Sequence, residues 1–313
     1  MAAYLELYRS GKLAERVEAA RALLENCQLC PRRCGINRLT DEKGQCHTGK
    51  LAVISSYGPH FGEEAPLVGS RGSGTIFFTN CNLKCIFCQN YAISQLGEGN
   101  EITAGELAKI MLALQDRGCH NINLVSPTHV MPQILEALEI ATNLGLRLPL
   151  VYNSGGYDAL ETLQILDGIL DIYMPDMKYD DEKIAEELSG IKNYPSINRT
   201  ALKEMYRQVG DLQIDGDGIA VRGLLIRHLV LPNQLAGTDE IMKLIADEIS
   251  PNSYVNVMSQ YHPCYKAFSI TQLNRALSKQ EFLEAVNSAV RAGLNRLDRM
   301  SDYRHNDLIR AMK

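Results

Sequence analysis

The chain has 313 residues, 45% of them hydrophobic and 22% charged, with a formal net charge of −5. That length suits one large α/β barrel domain, the composition is that of a globular chain, and the negative balance gives no overall attraction to nucleic acid or to an anionic membrane. No uncharged apolar run approaches the ~20 residues that span a bilayer. The N-terminal stretch MAAYLELYRSGKLAERVEAARALLEN is broken by charges every few residues, unlike a signal peptide, so the sequence reads as cytoplasmic.

That stretch predicts amphipathic helices, followed by a cysteine-rich loop from Cys27 to about His47. Seven of the nine cysteines fall between Cys27 and Cys88 in two tight groups, which in a reducing compartment favours metal ligation over disulfides. A strand-like run, LAVISSY, comes next, and then the polar GEEAPLVGSRGSG, read as a connection and not a helix. From Gly74 strands and helices alternate: GTIFFT, the helix ITAGELAKIMLALQDRG, NINLV, the helix MPQILEALEIATNLG, LPLVYN, the helix DALETLQIL, ILDIYMP, a longer helix around INRTALKEMYRQVG, GLLIRHLVLP, the helix TDEIMKLIADEI and SYVNVMS. Thr103 with Glu106 forms a capping box, and Gly118 and Gly145 sit where helices stop.

Apolar strands alternating with amphipathic helices imply a parallel sheet covered by helices, and six βα repeats suit a partial barrel. The insert LQIDGDGIAVRG predicts a hairpin; its Asp and Gly residues resemble a calcium loop but lack the liganding Glu. The expected organisation is an N-terminal helical and four-cysteine metal-binding segment over 1–50 and a barrel with C-terminal helices over 51–313.

The stretch TNCNLKCIFCQN places Cys81, Cys85 and Cys88 within eight residues. Their i, i+4, i+7 spacing also describes one face of a helix, which would make them a buried stripe. Against that, the stretch follows directly on a strand, and Asn80 and Asn82 favour a turn. Three thiolates on a short loop suit a cubane 4Fe-4S cluster with one iron left open, and an open position marks a catalytic metal site.

Cys-x3-Cys-x2-Cys with Phe87 before the last cysteine resembles the signature of the radical S-adenosylmethionine (radical SAM) superfamily. The combination CQLCPRRCGINR, GEEAPLVGSRGSGTIFFTNCNLKCIFCQN, NINLVSPTH, YNSGGY, DIYMPDMKY, RQVG, IRHLVLP and VNVMSQYHP is similar to its PflX-type branch, named for likeness to pyruvate-formate-lyase activating enzyme. The resemblance implies a partial (βα)6 TIM-type barrel with S-adenosylmethionine (SAM) at the C-terminal ends of the strands. It implies a 4Fe-4S cluster on Cys81, Cys85 and Cys88 that cleaves SAM reductively to a 5'-deoxyadenosyl radical, which abstracts a hydrogen atom.

Carried over by position, Phe87 would lie by the adenine. Thr128 or His129 would replace the family's Gly-Gly-Glu contact to the SAM amino group, absent from SPTH. Asn153 and Ser154 would meet the ribose or methionine, and Asp176 with Lys178 resembles an Asp-x-Lys pair whose Lys meets the SAM carboxylate. Arg227 and His262 match polar positions around the cofactor. The resemblance further implies a reducing partner such as flavodoxin or ferredoxin, and a glycyl-radical enzyme as a candidate protein substrate. No catalytic side chain is singled out. The alternative from another class is a non-enzymatic iron-sulfur electron carrier or metal-stapled binding protein.

Cys27, Cys30, Cys34 and Cys46 give C-x2-C-x3-C-x11-C, which leaves zinc and an auxiliary iron-sulfur cluster both open. Cys119 reads as core and Cys264 as inert. Glu63 and Glu64 read as an exposed charged loop that could also touch substrate.

Overall fold

The computed structural model describes residues 1–298; residues 299–313, the end of the expected barrel unit, lie outside the described residues. Among the described residues ten strands form one sheet: β1 Ala52–His60, β2 Ser73–Phe78, β3 Asn100–Ile102, β4 Ile122–Val125, β5 Leu150–Ser154, β6 Ile172–Pro175, β7 Gln213–Ile214, β8 Ala220–Leu229, β9 Tyr254–Met258 and β10 Arg296–Leu297. The helices are α1 Tyr4–Arg9, α2 Lys12–Ala22, α3 Ala65–Val68, α4 Tyr91–Ser94, α5 Ala104–Asp116, α6 Met131–Asn143, α7 Leu160–Ile165, α8 Glu182–Ser189, α9 Tyr194–Val209, α10 Thr238–Leu244 and α11 Lys279–Arg291.

The six expected βα strands, β2, β4, β5, β6, β8 and β9, pair in parallel and in chain order. Right-handed crossovers that always step to the next strand keep every helix on one face, so the sheet curls into a barrel wall and is not doubly wound. β1 and β3 extend one edge antiparallel and β10 extends the other in parallel, which leaves the barrel open between them. The insert after α9 is the expected hairpin, β7 against β8.

Alternation along the strands divides the two faces. Ile122, Leu124 and Tyr152 join Leu107, Met111 and Leu114 of α5 in the large core under the helices. Val151, Ile172, Met174 and Leu225 form a smaller interior cluster with Leu67. Leu67 belongs to α3, so the segment expected to be a plain connection contains a one-turn helix, started by Pro66 at its first turn, that plugs the barrel. Full burial of that one leucine contributes ~1.5–3 kcal/mol.

The capping box at Thr103 is present, with the Thr103 hydroxyl accepting from Glu106 N and the Glu106 carboxylate accepting from Thr103 N. At the N-terminus, Ala3 N and Leu150 N both donate to the Asp171 carboxylate, at 2.8 and 2.9 Å, and α2 packs on α6 and α7. Tyr4, Leu13, Val17 and Leu24 therefore share the barrel's large core. No helix among the described residues is long and apolar enough to cross a membrane.

Candidate cluster and cofactor site

β2 ends at Phe78, and the chain turns at Asn80, whose φ of 71° is the left-handed conformation that Asn tolerates. The cysteine loop that follows is held by a helix end and not by its own secondary structure. Lys84 N and Ile86 N donate at 2.9 Å to Ser189 O and Leu188 O, two of the carbonyls that the end of α8 leaves without a helical partner. The buried-stripe reading fails on this geometry, since Cys81 to Cys88 are not helical.

Donors converge on the sulfurs. Ser189 Oγ donates to Cys85 Sγ at 3.0 Å, Leu83 N donates to Cys81 Sγ at 3.4 Å, and Cys88 Sγ lies 3.1 Å from Ser94 Oγ. Burial, reinforced by Cys85, pushes the Cys81 thiol up to about 12, and burial also raises Cys85. Both are thus neutral thiols at pH 7 until a cation displaces their protons, so metal uptake releases protons.

The three cysteines stand at one side of a cavity of about 230 Å³ at the C-terminal ends of the strands. Its wall includes Phe87, Ser126, Asn153, Ser154, Gly155, Asp176, Lys178 and Arg227. Asp176 binds Lys178 Nζ at 2.6 Å through one oxygen and Arg227 Nε at 2.9 Å through the other. Burial alone would raise the Asp176 carboxyl; Arg227 and then Lys178 outweigh it and hold it below the ordinary carboxylate range. Burial likewise opposes the charge on Lys178, and Asp176 overcomes it and raises the ammonium. Two cations against one carboxylate leave the cavity wall with a net positive charge suited to an anion.

Asn153 is 4% exposed; its backbone carbonyl accepts from Ser126 N at 2.9 Å, while its side-chain amide makes no hydrogen bond among the described residues and is available to a ligand. Ser154 is already engaged: it donates to Asp158 at 2.8 Å and accepts from Gly156 N. Gly155 lets Leu83 of the cysteine loop approach the β5 end, and Gly156, at φ 70°, sits where a side chain would strike Asn198 and Asp176 O. The Phe87 ring is buried edge-to-face against Tyr179 and Tyr261.

Three of the residues chosen from sequence do not line this cavity. Ser126, at φ 59°, turns the chain after β4, and the following 3-10 turn carries Thr128 and His129 behind the strand end. Thr128 donates to buried Asp158 at 2.7 Å, and His129 Nε2 lies 2.9 Å from Thr79 O. Burial pulls His129 down to about 4, so it is neutral at pH 7. His262 is exposed at the rim, 3.2 Å from Gln260 O.

Sequence reasoning missed Ser126, Gln89, Ile93, Met258 and Gln260 on the wall, and Ser189 behind Cys85. Only Ser126, at the end of an apolar strand, carried a local signal. Glu64, expected on an exposed loop, is 4% exposed and accepts from Asn256 at 2.9 Å, while its other oxygen is buried without a partner. Glu63 beside it is pushed up by burial, against the pull of Arg227. Cys119 is core, and Cys264 donates to Phe87 O at 3.1 Å.

The other four cysteines share one small chamber with Arg38 and His129. Cys27 N bonds Ile36 O, Gly35 N bonds Cys27 O, and Gly35 takes φ 67°, which folds the chain back on itself between Cys27 and Ile36. All nine cysteines are free thiols. Among the described residues no three His, Cys, Asp or Glu groups, in either cysteine cluster, already stand at the spacing of ligands to a single ion.

A family model described as the Radical SAM superfamily matches residues 75–207. An uncharacterized protein of Methanocaldococcus jannaschii is 35% identical over 301 residues, covering 93% of this chain and 82% of the relative. Among solved structures the chain is similar to a radical SAM methyltransferase from Sphaerobacter thermophilus, at 16% identity and TM-score 0.48, covering 73% of this chain and 67% of that one. It is also similar to Streptococcus suis SuiB bound to S-adenosylmethionine, at 15% identity and TM-score 0.47, covering 72% of this chain and 49% of SuiB.

Proposed function

Because this chain belongs to the radical SAM superfamily, we propose that Cys81, Cys85 and Cys88 hold a 4Fe-4S cluster and that the adjoining cavity takes SAM. The observation that carries this reading is a three-thiol loop facing a 230 Å³ cavity whose wall offers polar strand ends but no fourth cysteine. Electron transfer alone needs no such chamber, so the enzyme reading replaces the electron-carrier one. When bound, the cluster and SAM together supply a 5'-deoxyadenosyl radical that removes a hydrogen atom from the substrate.

The protein's own part is to orient and to exclude. Lys178 keeps N–H donors beyond the one given to Asp176, and an ammonium fixed by a buried carboxylate is aimed without entropy cost at a ligand carboxylate. Asn153 offers both amide donor and acceptor to a ribose or amino group. Arg227 backs Asp176, so it fixes the direction of the Asp-Lys pair. Phe87 and its tyrosine neighbours keep water from the cluster side. Ser189 and Leu83 N aim their donors at thiolate sulfur, the arrangement that sets cluster potential.

The finer reading is that the hydrogen comes from a glycine of a partner enzyme, as the PflX-type resemblance suggests, with flavodoxin or ferredoxin as reductant. Its support is the motif set and the unclosed side of the barrel, through which a loop of a partner could enter. The N-terminal cysteines hold a second metal in this reading.

The test is anaerobic reconstitution with iron and sulfide, addition of dithionite and SAM, and measurement of 5'-deoxyadenosine. The wild-type chain is expected to produce it and Cys81→Ala to produce none. Equal product from both, or none from an iron-loaded wild type, would sink the proposal. Deuterium transfer from a labelled partner glycine into 5'-deoxyadenosine tests the finer reading separately.

A further inference from the structure

The four-cysteine chamber differs in scale from the three-cysteine cavity. It holds about 10 Å³, against about 230 Å³ beside Cys81, Cys85 and Cys88. The smaller figure is room for roughly one water-sized body. One ion fits; a cubane of four irons and four sulfides does not enter without the walls parting.

Two buried groups on the same walls lack what they need. Arg38 is 0% exposed, and its guanidinium donates only to backbone carbonyls, Gly49 O at 3.0 and 3.1 Å and His129 O at 2.7 Å. It has no carboxylate partner among the described residues, although a buried charge is costly without a counter-charge. His129 is 1% exposed, and its Nδ1 is buried without a hydrogen-bond partner. Its Nε2 faces the Thr79 carbonyl at 2.9 Å. A carbonyl only accepts, so the proton sits on Nε2 and Nδ1 carries the lone pair. Metal-ligating histidines characteristically donate their other N–H to a carbonyl or carboxylate in this way.

The chamber thus has five soft or borderline donors for the four places around a tetrahedral ion. Cys27, Cys30 and Cys46 are buried, whereas Cys34 is half-exposed. Cys34 lies against Gly44, where an added Cβ would stand 3.0 Å from its sulfur.

We propose that the chamber binds one zinc-class ion through the thiolates of Cys27, Cys30 and Cys46 and through His129 Nδ1, with Cys34 left outside. Three thiols lose their protons to solvent, and three thiolates around a divalent ion carry one net negative charge, which balances Arg38. The sulfurs turn about their Cα–Cβ bonds to close on the ion, since no three donors yet stand at ligand spacing. The ion then braces the catalytic loop, because His129 reaches Thr79 directly. Asn80 Nδ2 donates to Thr48 Oγ1 at 3.1 Å, and Arg32 donates to Asn82 O at 2.6 Å from the same N-terminal segment. The inference deepens the second-metal reading above and is independent of the radical chemistry.

The test is elemental analysis and zinc-edge X-ray absorption on the full chain, reconstituted with iron and sulfide after purification. The expected result is about one zinc and about four irons per chain, with three sulfurs and one nitrogen around zinc at ~2.3 and ~2.0–2.1 Å. Cys34→Ser is expected to keep zinc and its spectrum, and His129→Ala to lose the nitrogen scatterer or the metal. Eight irons without zinc, a chain that takes up no zinc, or a four-sulfur shell that Cys34→Ser reduces to three would each overturn the proposal. The wild-type spectrum decides the matter even if His129→Ala does not fold. The 5'-deoxyadenosine assay on the same sample reports on the radical reading alone, so the two failures are distinguishable.

Discussion

Replacing Asp176 by Asn removes the carboxylate that bonds both buried cations of the cavity wall, Lys178 and Arg227. Asp176, Lys178 and Arg227 side chains are 12%, 15% and 19% exposed, so water replaces little of what is lost. Removing one partner of a buried pair costs ~3–5 kcal/mol, because the remaining charge stays desolvated. For a domain of this size that is a melting decrease of roughly 5–15 °C. The pH dependence has a definite sign. Arg227 and Lys178 hold the folded-state carboxyl below its ordinary value despite burial, so its stabilisation is complete above the unfolded value of about 4 and is lost as pH falls through the folded one. Urea unfolding of the anaerobic, thiol-reduced chain should therefore show Asp176→Asn well below wild type at pH 7, with the gap closing under pH 4. Adding Lys178→Met should recover part of the loss by removing one uncompensated cation. A deficit under ~1 kcal/mol, or one independent of pH, would refute the view of Asp176 as the desolvated anchor of both cations.

Lys178→Met in the reconstituted protein is expected to weaken SAM binding by ~10–100-fold, the worth of one charge-assisted hydrogen bond, measured by calorimetry. Ser189→Ala removes the O–H donor to Cys85, so spectroelectrochemical titration should find the cluster potential more negative than in wild type. Gly156→Ala forces a Cβ at φ 70° against Asn198 and Asp176 O, and thermal unfolding should show a loss of roughly 2–4 kcal/mol. Burial pulls His228 down to about 4 between Met177 O and Thr238, so the unfolded chain binds one more proton there than the native one between pH 4 and 6.5. Unfolding free energy should rise with pH across that window, and His228→Asn should lower the slope by about one proton.

The barrel strands were legible because each is a short apolar run bounded by turn residues, and the Cys81–Cys88 motif because its spacing is local. The one-turn helix at Ala65 was hidden by its polar, glycine-rich surroundings, since what fixes it is Leu67 filling the barrel, a tertiary event. Glu64 was misjudged for the same reason: its partner, Asn256, is 192 residues away. Thr128 and His129 stand at the right place in the chain, after a barrel strand, yet the left-handed turn at Ser126 decides which way they face, and Ser126 gives no sequence sign of taking that turn.

The joint between the cysteine loop and the end of α8 has a consequence for the order of events during synthesis. Cys85 and Ser189 are 104 residues apart, so a ribosome adding ~5–20 residues per second completes the loop about 5–20 s before the helix that closes over it. Iron delivered in that interval would meet three thiols open to water and oxygen. For the cluster proposed above, assembly is therefore expected only after synthesis of the barrel's second half, and oxygen damage to the nascent chain should concentrate in this loop.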